Sequence, residues 1–174
     1  MRAHEEEFVA FEGRLALIGP EDYLESLRER LADEHVEFAC TSGGIEVDQR
    51  VLEQVKANHD QLVARFWRDD RLVAYPAKRS FRYHILLDLV GRFSPGVVYT
   101  EVKVNEILKR CWHDFAYLRR ELVDYGYLRR NNLGEYWLVD GEECFTILHR
   151  DAPLWEHLWL PAYLNGRKGF PEAQ

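Results

Sequence analysis

The sequence predicts an α+β protein: a small N-terminal α/β unit, then a winged helix-turn-helix domain, then a short aromatic C-terminal helix. Three observations carry this. Two apolar stripes of helical period follow Pro76, a third capped helix stops at Gly126, and two strand-like runs flank a polar turn at residues 131–134.

The N-terminal elements come first. Residues 8–18 read two ways: Glu12-Gly13 can turn a short hairpin, while Phe8, Phe11, Leu15 and Ile18 also fit helical spacing. Gly19-Pro20 opens a helix whose first turn carries Glu21 and Asp22, where negative charge favours the helix dipole. Leu24, Leu27 and Leu31 form its inner face. Val36, Phe38 and Cys40 alternate with polar or small residues as in a half-buried strand, and Ser42-Gly43-Gly44 turns the chain into a partner strand at 45–48. A helix over 49–67 is striped by Leu52, Val55, His59, Leu62 and Phe66. That stripe packs on its own domain or makes a two-heptad dimer seam, with His59 a hydrogen-bonded boundary residue. Asp69-Asp70-Arg71 is a polar break, and 72–76 an extended linker in which Pro76 biases Tyr75 away from helix. The domains are accordingly 1–70, 76–140 and an extension, 141–174.

The second half follows a simpler pattern. Ser80 caps a helix with Leu86, Leu89, Val90 and Phe93 inward, and Ser94-Pro95-Gly96 ends it. After an extended Val97-Val98-Tyr99, Thr100 caps a second helix striped by Val104, Ile107, Leu108 and Cys111. Asp114 caps a third, with Phe115, Leu118, Leu122 and Tyr125 inward and Gly126 as its stop. Residues 127–129 and 135–139 are strands around the turn Asn131-Asn132-Leu133-Gly134. A further strand is expected at 144–148. Trp155, Trp159 and Tyr163 recur every fourth residue and predict the closing helix.

Composition limits the function classes. A chain of 174 residues that is 47% hydrophobic and 13% aromatic can bury a core and is not of the disordered class. No apolar run approaches the ~20 residues of a membrane helix, and the start MRAHEEEF lacks a signal-peptide pattern. A soluble cytoplasmic protein with no membrane partner is expected. Cys40, Cys111 and Cys144 lack paired spacing, and Cys111-x-His113 has no second pair to complete a metal site. No cofactor is implied. No G-x-S-x-G, phosphate-binding glycine loop or H-E-x-x-H is present, so an enzyme is not expected.

The net charge of −7 is unevenly spread: residues 1–73 carry −8, residues 74–140 carry +3 and residues 141–174 carry −2. A local basic footprint for nucleic acid therefore survives an acidic total. On the third helix Arg120 points away from the Leu118/Leu122 core, sharing the outer face with Ala116, Tyr117 and Asp124, and Arg119 lies on a flank. Arg129 and Arg130 precede the wing turn, Asn131 and Asn132 form its tip, and Lys78, Arg79 and Arg82 lie at the first helix. An outward arginine on such a helix reads base edges, while wing and first-helix cations hold phosphate. Surface ion pairing is the better account of an Arg-Arg pair taken alone; seven basic side chains on one expected face favour DNA.

The run 76–137 resembles an uncharacterised bacterial domain family that occurs alone or fused to helix-turn-helix regulators. Pro76-Ala77-Lys78-Arg79, Tyr99-Thr100-Glu101 with Val104-Asn105-Glu106-Ile107-Leu108, and Leu118-Arg119-Arg120-Glu121-Leu122-Val123-Asp124 carry the resemblance. Gly126-x-Leu128-x-Arg130 and Tyr136-Trp137 complete it. The resemblance implies a winged-helix fold and, in members described as transcriptional regulators, DNA binding. Trp112-His113-Asp114 is shorter than the family's usual stretch between the second and third helices.

The sequence is thus read as a double-stranded-DNA-binding transcriptional regulator. The alternative is a protein-interaction module that uses the winged-helix surface and aromatic tail. A homodimer is expected through the 49–67 helix, the Trp155/Trp159/Tyr163 face, or both.

Overall fold

The computed structural model describes residues 13–166. The chain divides between Asn58 and His59 into two compact units, whereas the sequence reading divides it at about Asp69 to Pro76.

In the first unit β1 (Arg14–Ile18), β2 (Ala39–Thr41) and β3 (Gly44–Asp48) form an antiparallel sheet in the order β1-β3-β2. The ambiguous 8–18 run is therefore a strand from Arg14 onward; Phe8 and Phe11 lie outside the described residues. Leu17 pairs with Ile45, and both are buried with Val47. Gly44 is required here, because a Cβ would stand 2.2 Å from the Leu17 carbonyl oxygen. Helix α1 (Glu21–Asp33) starts after Pro20 and buries Leu24, Leu27 and Leu31 as expected, together with Tyr23. Cys40 is exposed rather than inward: β2 is a three-residue edge strand that begins at Ala39, after the alternating run has started. Helix α2 (Gln49–Val63) buries Leu52 and His59 and stops four residues short of the expected end.

The reason for that early stop is a hairpin. β4 (Trp67–Arg68) and β5 (Arg71–Leu72) pair across Asp69 and Asp70, both at positive φ (50° and 62°). A two-residue turn with both central residues left-handed matches strand twist, and Asp tolerates that conformation better than most residues. The polar break and extended linker of the sequence reading are thus partly a hairpin. The Leu72 N–H donates to the Cys111 carbonyl at 2.7 Å.

Helix α3 (Arg79–Val90) buries Tyr83, Leu86, Leu89 and Val90. Its N-cap is Lys78, without a side-chain cap bond, so Ser80 lies inside the helix rather than capping it. β6 (Tyr99–Thr100) leads into α4 (Glu101–Lys109), where the Thr100 hydroxyl accepts from the Lys103 N–H at 3.2 Å. Asp114 caps α5 (Phe115–Asp124) by accepting from the Tyr117 N–H at 3.2 Å, and Leu118 and Leu122 are fully buried. Gly126 ends the turn after α5 at φ 84°, the left-handed position that favours glycine. β7 (Leu128–Arg130) and β8 (Glu135–Leu138) complete an antiparallel sheet in the order β6-β8-β7.

Two expectations for the C-terminal segment change. Residues 144–147 form a helical turn, α6 (Cys144–Ile147), not a strand. Asp140 accepts from the N–H groups of Glu142 and Glu143 through its side chain and from Cys144 through its carbonyl, which winds the chain there. Helix α7 (Leu154–Leu164) packs against α3 and is buried on every side from Leu154 to Ala162, Glu156 and His157 included. Trp155, Trp159 and Tyr163 stack in a ladder at 5.8 and 4.6 Å, and the imidazole of His59 stacks on Trp155 at 5.0 Å. The Tyr163 hydroxyl donates to the Phe93 carbonyl. This aromatic face is therefore covered by residues of the chain's own second unit. The expected core residues Leu86, Phe93, Leu118, Leu122 and Leu138 are buried, with Ile107 half-buried.

Candidate nucleic-acid interface

The basic segment contains ten residues expected to meet DNA, and the structure separates them by what each side chain already does. Arg79 donates to Asp151 at 2.8 Å and to the Tyr83 hydroxyl at 2.9 Å, with its guanidinium over the rings of Tyr83 and Tyr125. Arg82 donates to the Pro76 carbonyl at 2.8 Å, lies over the Tyr75 ring and reaches Glu121 at 3.9 Å. Both tie the start of α3 to neighbouring segments. Neither is a spare cation. Lys78 is exposed, its ammonium 5.1 Å from the Phe81 ring centroid.

On α5 the flanks are also committed. Arg119 bonds Asn105 and pairs with Glu101 at 3.6 Å, joining α5 to α4. Tyr117 is half-buried, edge-on to Tyr75 at 5.2 Å and to Trp112 at 6.1 Å. The groove-reading role expected of Tyr117 competes with this aromatic packing. Arg120 alone of the α5 cations is exposed with no ion pair or hydrogen bond among the described residues, as the helical projection implies.

The turn between β7 and β8 divides in the same way. Arg129 pairs with Glu143 at 3.6 Å, and its buried Nε makes no hydrogen bond. Asn131 shapes the turn from within: its Oδ1 accepts from the N–H groups of Leu133 and Glu135, and its Nδ2 donates to Glu135 at 2.6 Å. Such a side chain is a turn former rather than a ligand contact. Arg130 and Asn132 are exposed and have no such partner among the described residues.

Two further cations belong with them. Lys109 and Arg110, at the end of α4, are exposed, and no side-chain hydrogen bond or ion pair engages either among the described residues. The sequence reading passed over them because they lie on no apolar stripe and in no Arg-Arg pair. Their position at a helix end beside the turn into α5 was the available signal.

A second cluster escaped the sequence reading altogether. Glu156, fully buried in the first turn of α7, accepts from the Tyr127 hydroxyl, from His149 Nδ1 at 2.7 Å and from the His149 N–H at 2.9 Å. The His149 ring lies among Tyr83, Tyr125 and Tyr127 at 5.0 to 5.7 Å. Burial first, and Glu156 next, push the Tyr127 phenol well above its ordinary range, so it stays a donor. The bonds fasten the segment before α7 to that helix. Among the described residues no group of three His, Cys, Asp or Glu is arranged to hold a metal ion.

A family model described as "Uncharacterized protein conserved in bacteria (DUF2087)" matches residues 71–138, from β5 to the end of β8. The match overlaps the run 76–137 read from the sequence, begins a few residues earlier and agrees with it as to an uncharacterised bacterial family, without indicating a winged helix or a regulator. It covers 68 of the 174 residues and its description carries no activity. No curated protein and no solved structure matches the chain. No helix among the described residues is long and apolar enough to cross a membrane.

Proposed function

We propose that the second unit holds a winged helix and binds double-stranded DNA as a transcriptional regulator. The order α3, β6, α4, α5, β7, β8, with β8 between β6 and β7, supports that fold reading. In it α4 and α5 form the helix-turn-helix, and the β7–β8 turn is the wing.

The observation that carries the functional reading is that four exposed cations of α4, α5 and the β7–β8 turn, Lys109, Arg110, Arg120 and Arg130, have no acidic partner among the described residues. They lie on the end of α4, the outer face of α5 and the base of the wing. Arg120 is the candidate base reader, and the other three are candidate phosphate contacts. Arg79, Arg82, Arg119 and Arg129 shape the protein instead. Selection of bound duplexes from a random pool by the full chain tests this; an enriched motif supports it, and a pool that stays random opposes it.

The exposed apolar side chains Val97, Val98, Val102 and Leu133 favour a second reading, a protein-interaction module. That reading expects no salt-dependent affinity for any duplex.

A further inference from the structure

We propose that Leu133 is an apolar wedge which enters the DNA minor groove and partly unstacks a base step. The inference rests on the DNA-binding reading above. Leu133 is 83% exposed at the tip of the β7–β8 turn, a position that gains nothing from packing. The turn is nevertheless held firmly. Asn131 accepts from the Leu133 N–H at 3.0 Å and from the Glu135 N–H at 3.1 Å, and the Gly134 N–H returns to the Asn131 carbonyl at 3.3 Å. A leucine projecting from a braced turn is pre-organised rather than loose.

Three features favour a nucleic-acid occupant. The tip is a narrow turn, suited to a groove about 6 Å wide. It is flanked by Arg130 and Asn132, whose exposed side chains are uncommitted among the described residues and suit phosphate and sugar contacts. The nearby carboxylates are engaged: Glu135 accepts from Asn131, and Glu101 pairs with Arg119 and accepts from the Tyr136 hydroxyl. Val102, 67% exposed, follows the point where the Glu101 N–H donates to the Gly134 carbonyl, and it forms an apolar shoulder to the tip. Apolar side chains that enter the minor groove unstack a step and kink the duplex, most easily at pyrimidine–purine steps.

The test uses the full chain and two A·T duplexes carrying 2-aminopurine, which brightens on unstacking. One alternates A and T, so TA steps recur in every register; the other is an A-tract without them. The wild type is expected to bind the alternating duplex with a fluorescence rise and the A-tract with little. Leu133→Ala is expected to keep its fold, lose the rise and bind the alternating duplex more weakly by about 10-fold or more, the scale of one buried apolar side chain. Leu133→Phe should restore the rise. Wild-type binding without a rise, or an equal rise from Leu133→Ala, overturns the wedge and leaves the DNA reading standing. Absence of salt-sensitive binding to either duplex removes both, and the apolar tip then belongs to a protein contact.

Discussion

The Tyr75 hydroxyl donates to Oε2 of Glu121 at 2.8 Å, tying the segment before α3 to the middle of α5. Trp112 stacks on the same tyrosine ring and Arg82 lies over it, so one side chain gathers three segments. Burial first, and the Glu121 carboxylate second, push the Tyr75 phenol above its ordinary range and keep it protonated. Tyr75→Phe is expected to destabilise the second unit by about 1–2 kcal/mol, because Glu121 loses its short bond while staying partly buried. A double-mutant cycle with Glu121→Ala, followed by chemical denaturation, should return a coupling energy of about 1 kcal/mol; strict additivity would mean that the bond contributes nothing.

Glu156 gives a stronger expectation. Three donors converge on its two oxygens inside the core, and a glutamine there offers one acceptor oxygen only. Glu156→Gln should lower stability by about 2 kcal/mol through a stranded donor. An unchanged denaturation midpoint would show that this network is not holding α7 in place.

Stability should depend on pH through two groups on α3 with opposite signs. Burial lowers His84, whose Nδ1 is 2.8 Å from that of His59, to about 4. Between pH 4 and 6.5 the unfolded chain binds the extra proton, so this group makes stability rise with pH. Burial raises Asp88 to about 6 against the nearby Arg92, which lowers it. Its contribution is present below about pH 4 and is lost as pH rises through 6. The two oppose each other in the wild type. Asp88→Asn should reveal a rise of about 2–3 kcal/mol from pH 4 to 6.5, and His84→Gln a fall of similar size over pH 4 to 6. Denaturation series at several pH values that leave the three proteins parallel would contradict this assignment.

Leu118 is fully buried on α5. Leu118→Ala should destabilise by about 2–5 kcal/mol, as large-to-small core changes do. A loss below about 0.5 kcal/mol by chemical denaturation is typical of surface sites and would put the wrong face of α5 inward.

Much of the fold was legible because it rests on short-range rules. The stripes of α1, α3, α4 and α5, the Thr100 and Asp114 caps and the Gly126 stop are local signals, and each appears in the structure. The failures have physical causes. Asp69-Asp70 lacks the glycine that usually marks a left-handed two-residue turn, so the hairpin passed for a break. Residues 144–147 look strand-like by composition, but the conformation is set by Asp140, four residues before the helix starts. The burial of the α7 aromatic ladder within the chain was not legible either, because periodicity cannot tell a self-covered face from a shared one. At the candidate interface, exposure on α5 followed from projecting Arg120 on a wheel. The engagement of Arg79 by Asp151, 72 residues away, did not, because a long-range ion pair leaves no local pattern.

The proposed function requires that the cations on α4, α5 and the β7–β8 turn bind duplex DNA. The most direct measurement is fluorescence anisotropy across a salt series, using the best duplex from the random pool. Wild type should lose affinity steeply with salt, at a log–log slope near −0.9 for each phosphate neutralised. Arg130→Ala should weaken all sequences and flatten the slope by about one, whereas Arg120→Ala should cost about 1–3 kcal/mol on the preferred site and little elsewhere. Arg79→Ala, whose partner is Asp151, should leave the slope unchanged. Wild-type binding that ignores salt, or that survives removal of both Arg120 and Arg130, would contradict the account.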